Sequence, residues 1–143
     1  MTEYRKVFFD TAPIIYFLDK NDKYYQVVSS WMKEHAEAAF SSSPVTVMEY
    51  LAYPYRQKKE NPIDEFNSFL SEFEIEISSI DEAVGKKAAE IRADHKAFRA
   101  MDALQLATAC VTGCDAFVTN DKQLRQFSGL KIIVIEDLPD GKN

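Results

Sequence analysis

The stretch Ala103–Val111, reading Ala-Leu-Gln-Leu-Ala-Thr-Ala-Cys-Val, constrains this chain more than any other. Ala103, Leu106, Ala107 and Cys110 mark it as a helix, and the segment is nearly apolar all round. Such a helix has no face to offer water, so it must lie at the centre of the fold with other elements packed around it. Gly113 stops it, because glycine takes the left-handed conformation that ends a helix without a steric cost. Neither this segment nor any other approaches the roughly 20 apolar residues that a membrane helix needs. The chain's 143 residues suffice to bury a core around such a helix in one domain. Its 46% hydrophobic and 13% aromatic content excludes a disordered polymer.

Around this helix, short strands alternate with helical segments. Val7-Phe8-Phe9 is an apolar run ending at Asp10 and reads as a buried strand. Pro13 suits a first helical turn, so Ile14–Leu18 is predicted helical. Tyr24, Val28, Trp31, Met32 and His35 recur at helical spacing between Tyr24 and Ala39, which places His35 on an apolar stripe as a hydrogen-bonded core histidine. Phe66, Phe69, Leu70 and Phe73 repeat the helical pattern. Phe73, Ile75 and Ile77 then alternate with Glu72, Glu74 and Glu76 at strand period. Asp81 or Ser79 is suited to cap a helix carrying Val84, Ala88 and Ile91. Ala116–Val118 and Ile132–Ile135 read as strands flanking a polar, helix-like Asp121–Phe127. This alternation predicts an α/β fold with a mostly parallel sheet covered on both faces. The organisation expected is one domain over residues 1–143, with Asp137–Asn143 as a polar tail.

Charge and cysteine usage narrow the setting. The formal net charge is −6 and the isoelectric point 4.9, which argues against a simple basic nucleic-acid-binding module. Met1–Lys6 is polar and leads directly into a strand, so no signal peptide is expected there. Cys110 and Cys114 cannot build a disulfide framework and suit a reducing cytoplasm. A zinc site needs four ligands, and His35 and His95 lack ligand spacing around them.

Four acids occupy comparable places. Asp10 follows the first strand, and Asp121 lies just beyond Ala116–Val118. Asp102 opens the apolar helix, and Glu49 sits near the start of a helix after Ser41-Ser42-Ser43-Pro44. In an open α/β sheet such positions share the carboxyl edge, where sites form. Each acid also has a local explanation. Strand-end aspartates make turns, acids in first helical turns complement the helix dipole, and Thr46-Val47-Met48-Glu49 matches a capping box. Two carboxylates about 4 Å apart repel by roughly 4 kcal/mol at an effective dielectric near 20. Four acids converging would therefore take up protons or bind hard cations such as Mg²⁺ or Mn²⁺. One or two such ions activate water against a phosphodiester, so an acidic chain can still act on a nucleic acid.

At these residues the chain closely resembles the PIN-domain family, and within it the VapC-like toxin ribonucleases of toxin–antitoxin pairs. Val7-Phe8-Phe9-Asp10-Thr11, Val47-Met48-Glu49-Tyr50-Leu51, Met101-Asp102-Ala103-Leu104-Gln105-Leu106-Ala107-Thr108-Ala109 and Phe117-Val118-Thr119-Asn120-Asp121 resemble the family's four motifs, with the acids separated by 39, 53 and 19 residues. The resemblance implies a three-layer α/β/α domain with a central parallel sheet. It also implies Mg²⁺- or Mn²⁺-dependent RNA cleavage, and a homodimer restrained by a small antitoxin. By the same resemblance Asp10, Glu49, Asp102 and Asp121 are the metal-site acids, with Thr11 and Thr119 orienting them.

For RNA contacts, Tyr50, Tyr53, Tyr55, Arg56, Lys58 and Lys59 place aromatics and cations together past Glu49, suited to phosphates and unpaired bases. The competing reading is an exposed helix end whose tyrosines pack on the core or at a dimer contact. Arg99 is near Asp102 in sequence, whereas Lys86, Lys87, Arg92 and Lys96 read as a solvated helix face. The function expected is a metal-dependent endoribonuclease. One alternative is a PIN-like scaffold that binds RNA or protein without cleaving. The other is a phospho-acceptor receiver domain, which would require an acidic pair at the first strand end that Asp10 lacks.

Overall fold

The computed structural model describes residues 3–140. A strand through Val7, Phe8 and Phe9 has apolar side chains on both faces, so it is stable only when both faces are covered. Strand β1 (Lys6–Phe9) accordingly holds the central place in a five-stranded sheet, with these three residues at 0–1% exposure. Its neighbours are β2 (Ala39–Ser42) and β4 (Ala116–Thr119). β3 (Glu76–Ile77) and β5 (Lys131–Val134) close the two edges, giving the order β3-β2-β1-β4-β5 with every pairing parallel.

Alternation along the strands divides the interior into two cores. Val7 and Phe9 join Phe40, Ala116, Val118 and Ile133 on one face, beneath α1 (Thr11–Leu18), α2 (Tyr25–Glu34), α3 (Pro44–Arg56) and α4 (Asn61–Glu72). Phe8 and Phe117 stack with ring centroids 5.3 Å apart on the other face, beneath α5 (Glu82–Asp94) and α6 (Ala100–Val111). The protein is thus an α/β fold with a parallel sheet between helical layers. No helix among the described residues is long and apolar enough to cross a membrane.

Helix α6 is as central as its composition requires. Ala103, Leu106, Ala107 and Ala109 have no exposed surface, and Gly113 ends the segment at φ 77°. Val111 at its far end is exposed, and the polar Gln105 is buried at 2%. Asp81 provides the cap of α5, accepting from the Val84 N–H at 3.0 Å, and Lys86 and Lys87 pair with Glu82 and Glu90 on its solvent face. His35 ends α2, half-buried, with Nδ1 2.8 Å from the Trp31 carbonyl oxygen and its ring stacked on Trp31.

Three expectations need correction. The helical pattern from Tyr24 to Ala39 stops at Glu34, and Ala39 begins β2. This strand lacks an apolar signature because Ser41 and Ser42 satisfy their hydroxyls internally, donating to the carbonyls of Val7 (3.2 Å) and Phe9 (2.7 Å). The alternation from Phe73 to Ile77 yields only the two-residue β3. Phe73 ends α4, and Glu74 turns the chain at φ 51°. Asp137 and Leu138 are not tail: Ile135–Asp137 forms a 3-10 turn, Asp137 pairs with Arg125, and Leu138 packs on the core. Residues 1–2 and 141–143, parts of the expected leader-free start and polar tail, lie outside the described residues.

The sidedness of α6 makes a direct prediction. Leu106→Ala should cost about 2–5 kcal/mol in urea unfolding, because the packed helix cannot close the cavity. Val111→Ala, on the same helix but exposed, should stay within about 0.5 kcal/mol.

Candidate metal centre

In a parallel sheet of order 3-2-1-4-5 the chain runs outward in opposite directions from β1 and β4, so the connections leaving their carboxyl ends part and open a crevice. Asp10 leaves β1 at that point, its N–H donating to the Val118 carbonyl at 2.9 Å. Thr119 ends β4, and Asn120 and Asp121 follow. The resulting cleft, about 810 Å³, is lined by Asp10, Glu49, Asp102 and Asp121 together with Thr11, Thr119 and Glu136. The four acids singled out in the sequence therefore share one cleft, and a fifth carboxylate joins them.

Each acid is held by its own local structure. Asp10 caps α1: Oδ1 accepts from the Thr11 N–H at 2.9 Å and from Gln105 Nε2 at 3.4 Å, and Oδ2 accepts from Thr119 Oγ1 at 2.8 Å. Glu49 lies on α3 and its Oε1 accepts from Thr11 Oγ1 at 2.5 Å. Asp102 sits in the first turn of α6, where Oδ2 accepts from the Arg99 N–H at 3.3 Å, so it serves the helix start while lining the cleft. Asp121 caps the 3-10 turn Lys122–Gln126 through the Gln123 N–H at 3.0 Å, and its own N–H donates to Thr119 Oγ1 at 3.1 Å. Thr11 and Thr119 thus each touch a carboxylate directly.

The capping box expected at Thr46–Glu49 is absent. Pro44 starts α3 and Ser43 caps it, accepting from the Val45 N–H at 3.1 Å. Thr46 is instead fully buried within the first turn of the helix. Its hydroxyl lies 3.1 Å from Thr11 Oγ1 and 2.8 Å from Ser42 Oγ, and accepts from Gln105 Nε2 at 2.8 Å. Glu49 is therefore free of any capping duty, and its exposed carboxylate belongs to the cleft alone.

The electrostatics suit a cation. Burial, above all, pushes Asp10 from the ordinary 3.8 up to about 6. The hydrogen bonds from Thr119 and Thr11 oppose this, and the nearby Asp102 charge adds to it. Burial also raises Asp102, with Asp121 and Glu49 repelling its charge. Lys122 is the one cation lining the cleft among the described residues, and it is engaged with Glu136 at 2.8 Å. The acids do not close on one coordination point; among the described residues no three carboxylate, histidine or cysteine groups are that tightly clustered. The donor set nonetheless fits a hard divalent ion: it is all oxygen, the one lysine of the lining is committed to Glu136, and Glu49 is exposed enough to turn inward.

The residues considered for RNA contact fall outside the cleft lining. Tyr53 and Tyr55 are 58% and 61% exposed, and Arg56, Lys58, Lys59 and Arg99 are exposed as well. Tyr50 is buried against Phe66, with ring centroids 5.2 Å apart. Sequence reasoning missed Gln105, Thr46, Asn120 and Glu136. Asn120 donates to the Tyr16 hydroxyl at 3.1 Å and accepts from the Glu136 N–H at 2.9 Å, which fixes the cleft wall. The one available signal was Gln105 itself, a polar residue on a helix that is otherwise buried.

Asp10 also sets a pH dependence. Its carboxyl is harder to ionise in the fold than in the unfolded chain, so its contribution to stability is complete below about pH 4 and is lost as pH rises through about 6. That loss is on the order of 3 kcal/mol at most. Asn imitates the protonated form. In EDTA, Asp10→Asn should match the parent near pH 4 and be more stable by about 1–3 kcal/mol at pH 7.5, read by urea unfolding. Equal stability of the two proteins at both pH values would contradict the charged-site electrostatics.

Comparison with known proteins adds a family. Against curated proteins the sequence finds no significant match. Among solved structures the fold is similar to that of a chain in VapBC2 from Rickettsia felis, crystallised with a fragment of promoter DNA. The TM-score is 0.75 at 18% identity, covering 89% of this chain and 96% of that one. It is also similar to a chain of DNA-bound VapBC from Salmonella typhimurium (TM-score 0.68, 19% identity, 92% and 98% covered) and of a toxin–antitoxin complex from Klebsiella pneumoniae (0.66, 18%, 90% and 97%). The model of the PIN domain matches residues 7–130, a span that takes in Val7–Phe9 of β1, all four acids and the whole cleft except Glu136, and the chain belongs to the PIN-domain family.

Proposed function

We propose that the protein is a divalent-metal-dependent endoribonuclease and the toxin member of a toxin–antitoxin pair, acting in the cytoplasm. The observation that carries this reading is the convergence of Asp10, Glu49, Asp102 and Asp121 in one cleft at the switch point of a PIN-domain sheet. A bound Mg²⁺ or Mn²⁺ supplies activation of water and charge stabilisation at a phosphodiester. The chain's own residues do the rest. The four carboxylates would hold the cation, and Thr11 and Thr119 fix the orientation of Glu49 and Asp10. Cys110 and Cys114 lie outside the cleft lining, consistent with chemistry that needs no covalent nucleophile.

The partners follow from the same reading. Tyr53, Arg56, Lys58, Lys59 and Arg99 offer exposed rings and cations to single-stranded RNA. Similar solved structures are of toxin–antitoxin systems, which supports an antitoxin partner here; the homodimer rests on the family resemblance alone.

The purified protein should cleave single-stranded or loop RNA with Mg²⁺ or Mn²⁺ and stop in EDTA. Full-rate cleavage in EDTA would remove the metal reading, whereas Mn²⁺ binding without cleavage of any RNA would favour a binding scaffold. Glu49→Gln should lose about a hundredfold or more in rate and weaken Mn²⁺ binding. A glutamine oxygen still accepts from Thr11, so its stability should change by no more than about 1 kcal/mol. Unchanged Mn²⁺ affinity and rate in that variant would exclude Glu49 from the site.

A further inference from the structure

Gln105 is the anomaly of helix α6. It is 2% exposed in a segment whose other inward residues are apolar or small, and burying an unpaired amide is costly. Here it is fully partnered. Ser43 Oγ, the cap of α3, donates to Gln105 Oε1; Gln105 Nε2 donates to Thr46 Oγ1 at 2.8 Å and reaches Asp10 Oδ1 at 3.4 Å. Thr46 in turn meets Thr11, and Thr11 donates to Glu49 at 2.5 Å. One amide therefore joins the helix that carries Asp102, the helix that carries Glu49, and the carboxylate at the end of β1.

We infer that Gln105 is a positioning residue for the divalent cation, holding Asp10 and the Thr46–Thr11–Glu49 chain in one register, in a role that rests on the metal-site reading above. An amide suits this place because it donates and accepts at once. Its oxygen is anchored by Ser43 and its nitrogen is thereby aimed at Thr46 and Asp10, which fixes which face of the Asp10 carboxylate stays open to the cleft. A carboxylate at 105 would repel Asp10, and an apolar residue would leave Ser43, Thr46 and Asp10 each short of a partner.

Mn²⁺ titration calorimetry on the full chain tests this with Gln105→Met, which keeps the length of the side chain and removes its hydrogen bonds. The control is Thr108→Val, which deletes another buried hydrogen bond of α6, made only to the Leu104 carbonyl. Gln105→Met should bind Mn²⁺ roughly tenfold or more weakly, while Thr108→Val binds like the parent. RNA cleavage by Gln105→Met should fall in kcat with KM for RNA little changed. Mn²⁺ affinity of Gln105→Met within twofold of the parent would overturn the inference, as would an equal loss in both variants. If Gln105→Met does not fold by melting in EDTA, Ser43→Ala releases the amide's anchor and should weaken Mn²⁺ several-fold; unchanged affinity there overturns the inference equally. A parent that binds no Mn²⁺ sinks the metal reading and Gln105's role with it. A parent that binds while Gln105→Met binds equally well removes the role alone.

Discussion

The structure turns on a carboxylate held at the centre of a sheet without a cation to balance it. Asp10 stands where β1 ends and accepts hydrogen bonds on both oxygens, from Thr11, Gln105 and Thr119. Those bonds favour the charged form, and burial outweighs them, so the group titrates near 6. A fold that served only its own stability would not leave such a group beside three other acids. The cost is offset in part because two of the others also cap backbone. Asp102 accepts from the backbone at the start of α6, and Asp121 does so at a 3-10 turn.

Much of this was legible in the sequence. The apolar run at β1, the all-round apolar helix and the alternation of elements fixed a parallel, doubly covered sheet, because hydrophobic period and burial are tied by geometry. The four acids were legible too, since Asp10 and Asp121 follow strand ends, Asp102 lies in the opening turn of α6 and Glu49 near the start of α3. Strand β2 was hidden because two of its three buried residues are serines. Their hydroxyls bond to β1 carbonyls, and a single sequence cannot show where such partners lie. Thr46 was misassigned for a related reason: Ser43-Pro44 is the stronger helix start, and Thr46 then falls inside the helix, facing Thr11.

The polar interior also separates two kinds of order. The aromatic cores on the two faces are held by area and shape, which many combinations of large residues satisfy. The chain of Ser42, Ser43, Thr46, Thr11 and Gln105 is held by directed bonds, each of which specifies one partner. That chain lies at the carboxyl edge of the sheet, where position matters to tenths of an ångström, and among the described residues no buried side-chain nitrogen or oxygen is left without a partner.

Glu49 rides on the four-helix layer and Asp102 on the two-helix layer, while Asp10 and Asp121 belong to the sheet between them. The cleft is therefore a seam across three plates. A substitution that thickens the core between the sheet and α1–α4 acts first on Glu49, and one between the sheet and α5–α6 acts first on Asp102, with Gln105 passing part of either shift across. Core changes that are interchangeable for stability are then unequal for geometry at the seam. A sequence evolving under selection for the site would find its two cores tethered to each other, although they lie on opposite faces of the sheet.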